Sequence, residues 1–365
     1  MPAPSGLVQQ LDQYLHRRRL LPRSRPILVA CSGGADSVAL LRLLWAVNQS
    51  RYWNWRIVVA HVNHALRGRQ SDADERFVRR LAAQLALPIR VKRLRLTRAA
   101  KAPDRVSEAR ARAARIAALA AMAKRHRCDV VVLAHHADDQ AETVLLRLLR
   151  GAGPRGLGGM LPRRRMRGIW FVRPLLGWPR NTLRQWLTQG GWNWREDSSN
   201  ATGRFLRNRI RHELLPLLET YQSGIRRILH RTARTQRSVY RVLSRQAEEL
   251  LRRAAARRSG GALLLDRGAF AAAPQAVAAL ALRRAIESQG GGGDRIDQSS
   301  LIEALRRIRK PAGRRGRQTV AMPFADGILL HLRGQTIRVV RGNAGRPFPA
   351  ESLRLLKFND FGKRR

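Results

Sequence analysis

Between residues 26 and 150 short apolar runs alternate with longer stretches in which apolar positions recur at helical spacing. A parallel sheet covered by helices reads this way, because its strands are buried on both faces. The runs at 27–30, 57–62, 89–96 and 130–133 are expected strands, and 37–48, 72–85, 107–125 and 138–150 expected helices. The expected fold class is α/β, a parallel twisted sheet with helices on both faces. Right-handed crossovers place the loops that follow the strands along one sheet edge, where open α/β folds take their ligands. Chemistry is therefore to be sought just after strands.

Past residue 150 the alternation stops. A Gly, Pro and Arg loop at 151–167, whose first six residues read as a flexible loop at an RNA border, leads into the apolar run IWFVRPLLGW and a helix at 179–189. The letters at 151–156 satisfy GxGxxG, but they follow a helix and are interrupted by Pro154, so the dinucleotide fingerprint lacks its context. From 207 to 257 the chain reads as helical and arginine-rich, with Leu214, Leu217, Leu218, Ile225 and Ile228 forming a narrow apolar stripe. A small α+β domain begins near Ala262, with an alanine-rich helix, a glycine break at 290–293 and strands at 319–322, 328–332 and 336–340. The expected division is a first domain with its extension at 1–206, a helical linker at 207–258, a small C-terminal domain at 259–345 and a tail at 346–365.

The 365 residues hold 72 Lys and Arg against 25 Asp and Glu, a formal charge of +47. So large an excess draws a protein to a polyanion through phosphate contacts and counterion release, which makes nucleic acid the first partner to test. The two cysteines, Cys31 and Cys128, form no CxxC pair and cannot complete a zinc site, consistent with a reducing compartment. No apolar run approaches the length of a bilayer span, so a soluble, unprocessed chain with no membrane association is expected.

The strongest local signal is the strand 27–31 followed by Ser32-Gly33-Gly34-Ala35-Asp36-Ser37 and a helix. Small residues between a strand and a helix start expose backbone N–H groups toward an anion, with the helix dipole behind them. No lysine stands where a Walker loop needs one, so the grip rests on N–H groups and the hydroxyls of Ser32 and Ser37, with Asp36 a candidate magnesium ligand. The plainer reading is a glycine-rich turn in which Asp36 or Ser37 caps the helix. Further on, Asp139 and Glu142 are three apart on an expected helix, so their carboxylates share a face and suit an ammonium group, a metal or a base. Asp138 reads as a helix cap, and one of His135 and His136 as a polar ligand at a strand end. Arg112 and Arg115 share a helix face, and the Arg112 guanidinium suits a carboxylate or an adenylated intermediate. Trp186, Trp192 and Trp194 read as core residues.

The SGGADS loop resembles that of the PP-loop, or N-type, ATP pyrophosphatases. Three further segments resemble one branch of that superfamily, the tRNA(Ile)-lysidine synthetases: His61-Val62-Asn63-His64-Ala65-Leu66-Arg67-Gly68, His135-His136-Ala137-Asp138-Asp139-Gln140-Ala141-Glu142-Thr143, and Glu196-Asp197-Ser198-Ser199-Asn200 with the run RNRIRHELLP at 207–216. The match runs in order over roughly residues 20–218, with Ile116 standing where that branch usually has tyrosine. The resemblance implies an enzyme that splits ATP into AMP and pyrophosphate to join L-lysine to the wobble cytidine of an isoleucine tRNA with a CAU anticodon. It further implies ATP binding by Ser32, Gly33, Gly34, Ala35, Asp36, Ser37 and His61, with magnesium at Asp36. Lysine would be held by Arg112, Asp139 and Glu142, tRNA by Arg207 and Arg211, with Asp36 and Asp139 catalytic. ATP and Mg2+ would suffice without a prosthetic group or protein partner, in the cytoplasm. Residues 262–340 resemble the first C-terminal domain of these enzymes, which helps recognise the tRNA acceptor end; the second, found in longer members, is not expected here. The rivals are a tRNA thiolase on the same fold, against which two isolated cysteines argue, a GMP synthetase-like ligase, and a non-catalytic basic RNA-binding protein.

Overall fold

A computed structural model describes residues 5–50, 52–63, 69–94, 108–196, 206–259, 261–292, 296–310 and 320–342. The chain divides into two compact units, Met1–Arg237 and Ser238–Arg365. The arginine-rich segment expected as a linker at 207–258 is thus shared between them.

The first unit runs α1 (Ser5–Arg18), β1 (Pro26–Ala30), α2 (Ala35–Asn48), β2 (Arg56–Asn63), α3 (Arg69–Gln84), β3 (Ile89–Arg93), α4 (Glu108–Arg125), β4 (Val130–Val132) and α5 (Ala137–Leu148). It continues through α6 (Pro154–Leu157), β5 (Arg163–Met166), β6 (Ile169–Val172), α7 (Arg180–Gln189), α8 (Leu206–Arg209), a π-helical turn Ile210–Leu214 and α9 (Leu215–Tyr221). The six strands lie in the order β3-β2-β1-β4-β6-β5. The first five are mutually parallel and only β5 is antiparallel to its neighbour.

Alternate strand residues feed two cores. Ile27, Val29, Ile57, Val59, Val130, Val132 and Val172 pack on one side with α1, α2 and α7. Leu28, Val58, Ala60, Val131, Ile169 and Phe171 pack on the other against α4. Burial on both faces explains why the strands read as unbroken apolar runs. Each fully buried aliphatic side chain contributes about 1.5–3 kcal/mol, so this doubly covered sheet is the rigid base of the site. Trp186 is buried in the first core, and Trp192, its ring centroid 4.6 Å away, packs against that core. Trp194 packs against the same core, as expected of all three.

The 151–167 segment, expected as a loop, holds two regular elements. It contains α6 and the exposed, arginine-rich edge strand β5, which carries no alternation to betray it. Its turn is pinned by Arg147 Nη1, which donates to Gly156 O at 2.7 Å and Gly159 O at 2.8 Å, and by Gln140, whose Oε1 accepts from Met160 N at 2.7 Å. Gly159, at φ +65°, leaves no space for a Cβ against the fully buried Gln140 amide.

α10 (Ile225–Ala254) runs across the division between units. In the first unit Ile210, Leu215, Leu229 and Ala233 bury against Ala141, Val144 and Leu145 of α5, which anchors the start of the arginine-rich segment beside the site. The second unit holds β7 (Ala255–Ser259), β8 (Ala262–Asp266), α11 (Arg267–Ala272), α12 (Gln275–Ser288), α13 (Gln298–Arg309), β9 (Val320–Phe324), β10 (Ile328–Arg333) and β11 (Thr336–Arg341). Its antiparallel sheet has the order β7-β8-β11-β10-β9. The core there includes Phe270, Leu282, Ile286, Leu301, Leu330, Ile337 and Val339.

Candidate functional site

After β1 the chain crosses to β2 on one side, while β4 lies on the other. The crevice beyond the C-terminal ends of β1 and β4 is the topological switch point of the sheet, where ligands of open α/β folds bind. Two segments leave the sheet there, 31–34 toward α2 and 133–136 toward α5.

The first segment owes its shape to Ser37. Its Oγ, buried in the first turn of α2, accepts from Ser32 N at 3.1 Å and Gly33 N at 3.2 Å and donates to Gly34 O at 2.8 Å. Ser32 Oγ lies 3.1 Å from the same atom. The two N–H groups and the Ser37 hydroxyl are therefore turned into the loop, whereas the expectation had that hydroxyl gripping phosphate. What faces a ligand is the uncapped first turn of α2, whose N-cap Gly34 makes no side-chain hydrogen bond. The early N–H groups of a helix lack intrahelical partners and carry the positive end of its dipole. Ala35 is buried and offers only its backbone. Gly33 has φ +95°, a conformation that L side chains rarely adopt, and its carbonyl accepts from Arg195 N at 2.9 Å. Arg195 in turn pairs with Asp74 at 2.9 Å, fastening the loop to α3.

His61, at the end of β2, is 4% exposed and its Nδ1 lies 2.9 Å from Cys31 O. Burial lowers its pKa, so the ring is neutral, Nδ1–H donates to the carbonyl, and Nε2 is left as an acceptor. Asn63, two residues on, donates to Glu75 at 3.2 Å. Glu75 is buried, yet bonds from Arg93, Asn63 and Arg79 override that penalty and hold its pKa at about 2. The rest of that motif, His64 to Gly68, lies outside the described residues, as do Asp197 to Asn200.

The second segment carries a cluster of charge. His136 is 3% exposed, and its Nε2 lies 3.4 Å from Asp36 Oδ2 and 3.4 Å from Asp139 Oδ2, with Nδ1 3.6 Å from Asp138 Oδ2. Burial disfavours the imidazolium, but Asp139, Asp138 and Asp36 outweigh it and raise the pKa to about 10. A cationic ring cannot accept, so the 3.4 Å approach of Asp139 N to Nδ1 is a close contact and the ring is held by its carboxylates. Asp139 Oδ2 accepts from His136 N at 3.1 Å, capping α5 from within. Burial would raise the Asp139 pKa, but the His136 imidazolium foremost, with Arg207, holds it at about 2. Asp138 is a cap as expected, though of another helix: its Oδ2 accepts from Arg180 N at 2.9 Å, at the start of α7.

Asp139 and Glu142 do share a face, and Arg207 and Arg211 close on them. Arg207 Nη2 lies 3.0 Å from Asp139 Oδ1 and its Nε 2.8 Å from Glu142 Oε2. Arg211 Nε lies 2.6 Å from Glu142 Oε1, and its Nη2 3.5 Å from Asp139 Oδ1. The π-helical turn that begins at Ile210 separates the two arginines in winding, a local irregularity common at functional sites. Beside this cluster opens a cavity of about 560 Å³ lined by His136, Asp138, Glu142, Arg180, Arg211 and Arg226 among others.

Asp36 Oδ1 is buried without a hydrogen-bond partner and lies 3.8 Å from Arg180 Nε. Among the described residues no group of three or more His, Cys, Asp or Glu is arranged to hold a metal ion. One open carboxylate oxygen fits magnesium bound mainly through nucleotide oxygens, since that ion keeps waters and takes one or two protein carboxylates.

Burial, joined by the charges of Arg173, of Arg112, half-buried on α4, and of Arg115, drives the His135 pKa well below its usual value. Sequence reasoning passed over Arg173, Arg180 and Arg226. Arg226 pairs with Asp138 at 3.0 Å from 88 positions away, and no local signal reports such a partner. A lone arginine ending the apolar run IWFV was the one hint to Arg173.

A family model described as a PP-loop domain matches residues 5–218. The chain belongs to the PP-loop family. Its curated relatives include the tRNA(Ile)-lysidine synthase of Geobacter sulfurreducens, 41% identical over 79% of this chain and 60% of that protein. Another is that of Rhodopirellula baltica, 41% identical over 61% of this chain and 60% of the relative. The chain thus spans about 60% of the length of these relatives. Among solved structures, the U34-tRNA thiolase of Methanococcus maripaludis with its 4Fe-4S cluster aligns with TM-score 0.52 at 15% identity, covering 63% of this chain and 78% of that one, a likeness of fold alone.

Proposed function

We propose that this PP-loop protein ligates L-lysine to C2 of the wobble cytidine in an isoleucine tRNA with a CAU anticodon, using Mg–ATP and releasing AMP and pyrophosphate. The observation that carries the reading is the juxtaposition of Asp36, at the phosphate loop, with Asp139 through a single imidazolium, His136, while Glu142 shares Arg207 with Asp139. One crevice then serves a nucleotide and an ammonium-bearing substrate together. The similarity to tRNA(Ile)-lysidine synthases supports the same chemistry.

In this account the α-phosphate region of ATP lies on the first turn of α2 and the N–H groups of Gly34, Ala35 and Asp36 face its charge. Asp36 would hold magnesium, which would supply charge neutralisation at the phosphates. The cytidine O2 attacks the α-phosphorus, the bond to the bridging oxygen breaks, and pyrophosphate leaves. The lysine ε-ammonium, held by Asp139 and Glu142, releases one proton to solvent and the free amine attacks C2; the C2–O2 bond breaks, AMP departs and the nitrogen gives up a second proton to solvent. Asp139, with its pKa at about 2, is a weak proton acceptor and acts by orienting the ammonium. Catalysis comes from positioning and charge neutralisation, so no covalent enzyme nucleophile is needed. Arg207 and Arg211 set the two acids, and wider tRNA contact falls to the basic surface.

The setting proposed is the cytoplasm; no helix among the described residues is long and apolar enough to cross a membrane. A thiolase reading finds no support in the cysteines: Cys31 ends β1, Cys128 precedes the parallel strand β4 at the opposite sheet edge, and burial raises both pKa values. The test is incubation with ATP, magnesium, labelled lysine and unmodified tRNA. Acid-stable incorporation that disappears when the wobble cytidine is changed supports the reading, and ATP turnover without incorporation refutes it.

A further inference from the structure

Arg173 directly follows β6, which pairs in parallel with β4 so that Val172 stands opposite Val132. It therefore sits at the ligand edge beside the 133–136 segment. The residue is 4% exposed, and Nη1 donates to Leu161 O at 3.0 Å. Its Nε is buried with no hydrogen-bond partner among the described residues. Burial lowers its pKa to about 10, and the charges that act on it, Arg112 and Arg164, push the same way. On the neighbouring strand end His135 Nδ1 is also buried without a partner. A buried guanidinium repelled by its neighbours is costly unless an anion from outside completes it.

We propose that Arg173, with Arg112 and His135, receives the α-carboxylate of the amino-acid substrate. This inference rests on the lysine-ligase reading above. The guanidinium fork matches a carboxylate, and the neutral imidazole supplies a further N–H. The opposite pole is already present, because Asp139, which acts electrostatically on His135, shares the Arg207 guanidinium with Glu142. A cationic pole beside an anionic one suits an amino acid with a terminal ammonium. A phosphate suits the fork too, but the phosphate loop follows β1, two strands away from β6 and so about 10 Å across the sheet.

The test uses the full chain and compares L-lysine with L-lysinamide, whose carboxylate is a neutral amide, as substrates for tRNA ligation and as ligands in calorimetry. Wild-type protein should favour lysine by about tenfold or more, the value of a charged hydrogen bond. Arg173→Gln should raise the lysine KM by about the same factor while leaving the KM for lysinamide and for ATP within about twofold, and Arg173→Lys should restore part of the preference. Equal losses for both amines, or a raised KM for ATP, overturn the assignment. Should Arg173→Gln not fold, wild type decides: lysinamide used as well as lysine overturns the inference alone, and a preference for lysine weakened in Arg173→Lys supports it. Wild-type protein that transfers no lysine overturns the ligase reading and this inference with it.

Discussion

Arg207 Nε lies 2.8 Å from Glu142 Oε2, so the segment that opens the arginine-rich region closes on a carboxylate that is 1% exposed. With Arg211 on the other oxygen, two guanidiniums hold the acid that the sequence offered as a lysine ligand. An ionised carboxylate has about four acceptor positions, so Asp139 and Glu142 together retain capacity for an ammonium beside the arginines. The arginines fix the geometry of the pair, and the charge balance leaves it tolerant of a further cation only while both acids remain ionised.

Replacing Glu142 by Gln removes the counter-charge from Arg207 and Arg211. Breaking a buried pair at one partner costs about 3–5 kcal/mol, so urea unfolding should show a loss of that order together with a raised lysine KM. Unchanged stability would mean that the pairing is not maintained in solution.

The charge cluster makes stability depend on pH in two windows. His136 has a folded pKa of about 10, above its unfolded value, so its contribution is complete below pH ~6.5 and is lost as pH rises through about 10. Asp139 is depressed to about 2, so its contribution is complete above pH ~4 and is lost as pH falls through about 2. The difference in unfolding free energy between wild type and His136→Asn should therefore shrink between neutral and alkaline pH. A difference that stays constant over that range would place the ring in the neutral form.

Ser37→Ala deprives the N–H groups of Ser32 and Gly33 of their acceptor. Leaving buried donors unsatisfied costs about 1–3 kcal/mol, and the KM for ATP should rise with the lost loop shape. Ser32, which is exposed, should tolerate the same change with a smaller effect on both quantities.

The excess of basic residues predicts a steep salt response for tRNA binding. Association should weaken by a factor of about 10³ or more between roughly 50 and roughly 200 mM salt if six or more phosphates are contacted. Filter binding across that range checks this, and a flat response contradicts phosphate-led recognition.

Much of the fold was legible because β1, β2 and β4 are buried on both faces and so announce themselves as apolar runs, with the glycine-rich turn between β1 and α2 equally plain. The edge strand β5 was not, since Arg163 to Arg165 are exposed and follow no alternation. Within the site, the spacing of Asp139 and Glu142 was readable as a helical face. The inward turn of the Ser37 hydroxyl was not, because a serine at a helix start serves a ligand or its own loop with the same letters. Nor was the closure of Arg207 and Arg211 on α5, a contact across 65 to 69 positions that depends on how Ile210 and Leu215 bury. Long-range ion pairs in so arginine-rich a chain have no periodicity to reveal them.

The most direct measurement is a single turnover with ATP labelled at the α-phosphate and unmodified CAU tRNA, first without lysine and then with a lysine chase. The account predicts label on the tRNA before the chase and its discharge as AMP once lysine is added. Label on lysine, or AMP formed at the same rate without tRNA, would contradict an adenylated cytidine as the species that lysine attacks.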